Sequence, residues 1–141
     1  HYAFGENKYP GVPKLNLHVI DNKPFNIGPM EIIPIQVMHY RLPVLGFRID
    51  DFTYITDANY ISDTEKEKIK GSKVMVLNAL KKSEHISHFS LDEAVGLAKK
   101  LEVEKTYFTH ISHQMGFHSE VSEDLPSGIE LAYDELQILI N

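Results

Sequence analysis

The chain contains no cysteine, which excludes a disulfide framework and any thiolate-held ion, so a metal here has to be bound by His, Asp or Glu. The same absence points to a reducing compartment, and the expected location is the cytoplasm. Basic residues are in deficit: 14 Lys and Arg against 20 Asp and Glu give a net charge of -6, with no Lys/Arg-rich run. Affinity for nucleic acid comes largely from neutralised phosphates, so nucleic acid is not an expected partner. No apolar stretch approaches the roughly 20 residues that span a bilayer, and no charged-then-apolar leader is visible; a membrane is not expected either. What remains, 141 residues that are 43% hydrophobic, suits one domain burying roughly 70% of its unfolded surface. The chain starts at His1 within a turn-rich stretch holding Gly5, Pro10, Gly11 and Pro13, and the expectation is a piece of a longer protein.

What is present is histidine in one place. Thr109 to His118 (THISHQMGFH) carries three of the eight histidines. Imidazole is the commonest neutral metal ligand and is easily tuned to act near pH 7. Immediately upstream, Lys105 to Thr109 (KTYFT) is β-branched and aromatic and reads as a buried strand. His110 then falls at its C-terminal end, the rim where open α/β sheets place their sites.

In chain order, residues 1–16 read as loop or a short irregular helix, and Leu17 to Ile20 as a short strand. Met30 to Met38 is an apolar strand that Pro34 confines to an edge or bulge. Val44 to Ile49 and Phe52 to Thr56 follow, joined by a tight turn at Asp50-Asp51. In such an up-down-up run the first and third strands point the same way, so His39 and Asp57 share a rim. Alone, Asp57 reads as a turn residue; beside His39 it becomes a candidate ligand. Ser62-Asp63-Thr64-Glu65 is a capping box opening a helix that ends at Gly71. Lys73 to Asn78 is a continuous apolar strand. Ser90-Leu91-Asp92-Glu93 is a second capping box, and Leu91, Ala94, Val95, Ala98 and Leu101 form a helical stripe. Strand, helix, strand in this order predicts a parallel crossover, which places His88 and His110 after C-terminal strand ends. Ser119 to Asp124 reads as one helical turn stopped by Pro126, and Ile129 to Ala132 with Leu136 to Ile140 as a closing hairpin. His1, His18, His85 and His118 read as ordinary solvated or partly buried histidines.

Connectivity thus predicts His39, Asp57, His88 and His110 on one rim, and imidazoles with a carboxylate suit Zn, Mn or Fe. His39 ahead of Leu45-Gly46-Phe47-Arg48-Ile49, then Tyr54-Ile55-Thr56-Asp57, Ser87-His88-Phe89, Thr109 to Gln114, Leu125 to Gly128 and Leu131 to Asp134 resemble the C-terminal half of the metallo-β-lactamase superfamily. The nearest branch is the cyclic phosphodiesterase of phosphonate breakdown and its metal-dependent hydrolase relatives. The resemblance covers residues 30–141. It implies an α/β fold, half of an αββα sandwich, with a mixed sheet and helices mainly on one face.

The same resemblance implies that His39 ligates one divalent ion (Zn or Mn), that Asp57 bridges two, and that His110 ligates the second. His88 resembles the histidine near the scissile phosphate, a proton donor or a stabiliser of developing charge. His113 resembles a position that in some relatives joins a structural zinc site. The implied reaction is hydrolysis of a small phosphodiester by metal-activated water; a lactone or thioester is the alternative substrate. From other classes come a non-catalytic partner-binding module and a lone metal-binding regulatory domain. The family's opening signature, H-x-H-x-D-H, is absent from the 141 residues, so this chain alone is expected to bind metal poorly and to be inactive. Glu135 stands where relatives often have Gly. Absence of one half of a sandwich also predicts an uncovered apolar sheet face, and with it a homodimer or association with the N-terminal half.

Overall fold

The computed structural model describes residues 15–140; the reading of the preceding residues as loop, and of His1, lies outside the described residues. Strands β1 (Phe25–Ile27), β2 (Met30–His39), β3 (Leu42–Ile49), β4 (Phe52–Ile55) and β5 (Tyr60–Ile61) come first, then helix α1 (Asp63–Ile69). They are followed by β6 (Val74–Asn78), α2 (Leu91–Leu101), β7 (Lys105–Thr109), a 3-10 turn (His113–Met115), α3 (His118–Asp124) and β8 (Ile129–Leu131). The sheet order is β1-β2-β3-β4-β6-β7-β8, with β5 paired to β2. β2, β3 and β4 form an antiparallel meander. β4, β6, β7 and β8 are mutually parallel. The fold is therefore α/β with a mixed sheet, as the sequence pattern and the resemblance both imply.

Strand register sorts the side chains into two faces, because successive residues alternate across a sheet. One row across the strands is Ile35, Gly46, Ile55, Leu77, Phe108 and Leu131, and every one is buried. Ile69 of α1, Ala94, Leu97, Ala98 and Leu101 of α2 and Val121 of α3 complete that cluster. All three helices thus cover the same face. The adjacent row, Pro34, Phe47, Tyr54, Val76, Tyr107 and Glu130, contributes nothing to the cluster. Tyr54 on it is 43% exposed.

Pro34 lies in a locally open edge of β2, between its pairings with β1 and β5. Its carbonyl accepts from Lys68 Nζ at 3.0 Å, so its missing N–H faces away from β3 and no ladder bond is lost. The second capping box forms in full, with Ser90 N–H donating to Glu93 Oε2 at 2.8 Å and Glu93 N–H to Ser90 Oγ at 3.4 Å. The first forms by half. Glu93's counterpart Glu65 turns from its cap to accept from Gln36 N–H and Asn22 Nδ2, each at 2.8 Å, and ties α1 to the sheet.

Two expected strands are corrected. Leu17 to Ile20 is not a strand: it has no pairing partner, and Leu17 and Val19 are exposed. The closing hairpin is also absent. β8 pairs in parallel with β7, and residues 136–140 run back unpaired, so that Leu139 and Ile140 border a cavity with Val74 and Lys105 at the opposite end of the sheet. Apolar composition marks a strand locally, but a strand also needs a free edge in register. Among the described residues no helix is long and apolar enough to cross a membrane.

Candidate metal centre

Each side chain of the rim is delivered by a strand ending. His39 is the last residue of β2, Asp57 follows β4, His88 lies in the loop after β6, and His110 follows β7. Asp57 and His110 leave their strands with φ of 53° and 56°, a left-handed conformation that costs energy and is concentrated at functional sites. The Asp57 turn is clamped by Asn78, whose fully buried amide accepts from Ala58 N–H and donates to Ala58 O, both at 2.9 Å. Phe89 N–H donates to Ala58 O at 2.8 Å, drawing the His88 loop onto the same turn.

The four side chains converge. His88 Nε2 lies 3.0 Å and His110 Nε2 3.3 Å from the same atom, Asp57 Oδ1. The His88 ring meets His39 edge-on at 4.7 Å between centroids and stacks on His110 at 4.8 Å. Ligand atoms of His39, Asp57 and His88 all fall within 4.8 Å of one another. The hydrogen bond from His88 holds the Asp57 carboxyl below its ordinary pKa; burial opposes this and the charges of His110, His88 and His39 reinforce it. Burial pushes the His88 imidazole down, against its bond to Asp57, and like-charge repulsion from His110 and His39 adds to the effect. A carboxylate that stays ionised beside an imidazole that stays neutral is the donor state a divalent ion requires. The residues therefore fit an ion of the Zn or Mn kind.

His113 is not brought in. It sits exposed on the 3-10 turn, and among the described residues the His39, Asp57 and His88 group is the one set of three or more such ligands within reach of an ion. His118 lies 3.4 Å from Leu131 O, apart from the cluster. Sequence reasoning missed His85 and Ser87. His88 Nδ1 is 3.1 Å from His85 Nδ1 and 2.9 Å from Ser87 Oγ, so both set the state of that ring. The available signal was spacing: His85, Ser87 and His88 share one short loop.

Sheet and cluster together define a domain of the metallo-β-lactamase fold, with imidazoles and a carboxylate gathered at the strand ends. Residues 1–111 match the family described as "Beta-lactamase superfamily domain", and the chain belongs to that family. The superfamily is hydrolytic and generally uses divalent metals. A solved structure described as a new diphosphatase from the PhnP family is 34% identical, with a TM-score of 0.86 over 89% of this chain and 49% of that one. The metallo-β-lactamase fold protein YhfI from Bacillus subtilis is 19% identical, with a TM-score of 0.66 over 82% of this chain and 52% of that one, and is a likeness of fold. A Porphyromonas gingivalis protein named octanoyltransferase is 34% identical over 143 residues, which is 100% of this chain and 29% of that protein. The chain spans about half the length of these solved relatives and under a third of the curated one.

Proposed function

We propose that this chain is the C-terminal half of a cytoplasmic, dinuclear metal-dependent phosphodiesterase, with Zn or Mn as the metal. The observation that carries the reading is the meeting of two imidazole Nε2 atoms on Asp57 Oδ1 with His39 beside them. Similarity to a protein described as a diphosphatase, at 34% identity, supports phosphorus as the centre attacked. In this reading His39, Asp57 and His110 hold metal, Asp57 between two ions. Divalent ions bound there supply Lewis-acid polarisation of the phosphoryl group and an activated water.

His88 acts at the leaving group. Its Nε2–H, which here faces Asp57, donates to the alkoxide as negative charge develops, and the partners on Nδ1 keep the ring in position. The hydrogen bond from His88, with the charges of His110, His88 and His39 beside it, holds the Asp57 carboxyl below its ordinary pKa and favours its ionised form.

The runner-up reaction, attack on the carbonyl of a thioester or lactone at the same rim, is favoured by one observation: the 34% identical P. gingivalis protein is named for transfer of an acyl group. Most of that protein lies outside the match. The test is hydrolysis by the metal-loaded full-length protein of a phosphodiester, a thioester and a lactone side by side. Cleavage of the phosphodiester alone is expected; cleavage of the thioester alone selects the runner-up.

A further inference from the structure

Behind His88 stands a second imidazole. His85 Nδ1 lies 3.1 Å from His88 Nδ1, with the ring centroids 5.1 Å apart, while the other edge of His88 presents Nε2 to Asp57 Oδ1 at 3.0 Å. The contact belongs to an anchored loop. Leu80 N–H donates to Phe89 O at 3.0 Å, Phe89 N–H to Ala58 O at 2.8 Å and Asn59 Nδ2 to Ile86 O at 3.1 Å, so the ends of the loop and the residue after His85 are all tied down.

Counting donors fixes the direction of the bond between the rings. An ionised carboxylate only accepts, so the proton between Asp57 and His88 sits on His88 Nε2. A neutral imidazole carries one N–H, which leaves a lone pair on His88 Nδ1. Two nitrogens hydrogen-bonded at 3.1 Å share a single proton, and that proton then belongs to His85. Ser87 Oγ, 2.9 Å from His88 Nδ1, can donate to the same lone pair, whereas Ser87 N–H and Oγ reach His85 Nδ1 only at 3.4 Å. Negative charge developing in front of His88 Nε2–H polarises the ring and makes its Nδ1 a better acceptor. A donor behind the ring is therefore worth more in the transition state than in the ground state.

We infer that His85 is a positioning residue for the hydrolysis: its Nδ1–H donates to His88 Nδ1, holds the ring with Nε2–H toward the leaving oxygen, and strengthens that donor as the ester bond breaks. Each proton stays on its own ring. The leaving oxygen rests on the phosphodiesterase reading; the bond between the two rings rests on geometry alone.

The first measurement is NMR of the zinc-loaded full-length protein, isotopically labelled in its histidine nitrogens. A nitrogen–nitrogen coupling through the hydrogen bond from His85 to His88, with the His88 proton on Nε2, is expected; no coupling, or a His88 proton on Nδ1, overturns the inference. The second is hydrolysis of methyl phenyl phosphate and methyl p-nitrophenyl phosphate by the same protein. p-Nitrophenolate is the better leaving group and needs less help from a donor. His85→Ala should lower kcat about tenfold for the phenyl ester and under about threefold for the p-nitrophenyl ester, with KM unchanged. His85→Asn, which puts an amide N–H where Nδ1 stood, should recover most of the loss. In a His88→Ala background, His85→Ala should cost nothing further. Equal losses for the two esters, no recovery with Asn, or the same loss without His88 would make His85 a structural residue and overturn the inference. Failure of the wild type to cleave any phosphodiester overturns the phosphodiesterase reading instead, and the coupling still decides the bond between the rings.

Discussion

His88 Nε2 lies 3.0 Å from Asp57 Oδ1, although the two residues are 31 apart in sequence and reach the rim from different strands. The contact joins the carboxylate proposed to bridge two ions to the imidazole proposed to assist the leaving group. It therefore separates two roles that substitution can distinguish.

Asp57→Ala should remove metal from the full-length protein, measured as bound Zn or Mn per chain after dialysis. His88→Ala should retain metal and lower kcat by about 10²- to 10³-fold, the usual contribution of one hydrogen-bond donor aimed at developing negative charge. Equal loss of metal in both variants would make His88 a ligand, as its place within 4.8 Å of the His39 and Asp57 ligand atoms allows.

Glu65 should make stability depend on pH. Burial raises its pKa, but hydrogen bonds from Lys68, Gln36 N–H and Asn22, with the Lys68 charge, outweigh burial and leave the carboxyl below its ordinary value. A depressed folded-state pKa stabilises the fold above the unfolded value and loses that contribution as pH falls through the folded one. Urea midpoints should therefore fall as the pH drops below the ordinary glutamate value of about 4.3. Glu65→Gln should flatten that dependence and lower stability by about 1–3 kcal/mol at pH 7.

Gly46→Ala tests the close approach of β3 and β4. A Cβ built at Gly46 would lie 2.7 Å from Ile55 Cγ1 and 2.9 Å from Tyr54 O. One of those atoms is backbone and the other belongs to a buried core side chain, so neither can yield freely. Overpacking of this kind costs about 1–3 kcal/mol, and thermal or urea unfolding should show it without a change in oligomeric state.

Tyr54→Lys tests the sheet face opposite the helices, on which Tyr54 is 43% exposed. Phe47, Tyr54 and Tyr107 share one row outside the core cluster, and apolar faces of this kind are association surfaces. The 141-residue chain expressed alone should elute well above its 16.1 kDa monomer mass, as a homodimer or larger species. Tyr54→Lys should shift it toward monomer; a wild-type chain that is monomeric at all concentrations would remove the case for a companion surface.

Much of the fold was legible because the relevant signals are local. Leu91, Ala94, Ala98 and Leu101 announce α2 through their spacing, and Ser90 with Glu93 announce its start. The apolar run Val74–Asn78 reads as a strand, and Met75, Leu77 and Asn78 are fully buried. The tail beyond β8 was misread for the complementary reason. Leu136 to Ile140 is apolar enough for a strand, but the tail runs back to the Val74 and Lys105 end of the sheet instead of pairing with β8. The sequence marks Asn78 as a strand end and gives Asn59 no signal. Their importance lies in amide hydrogen bonds to Ala58, Tyr40 and Ile86, 19 to 27 residues away, which no periodicity reports.

The sequence by itself determined where the central strands and the helices fall, which residues of those strands alternate to one side, and hence that His39, Asp57, His88 and His110 follow strand ends of one sense. Those are consequences of hydrophobic period and chain connectivity, which act over a few residues at a time. Only the tertiary structure decided that His88 and His110 meet on a single oxygen of Asp57, that His113 stays outside, and that the three helices of the described residues all lie on one face of the sheet. Such outcomes depend on strand register and on side-chain hydrogen bonds between distant turns, and these take shape when the elements pack together.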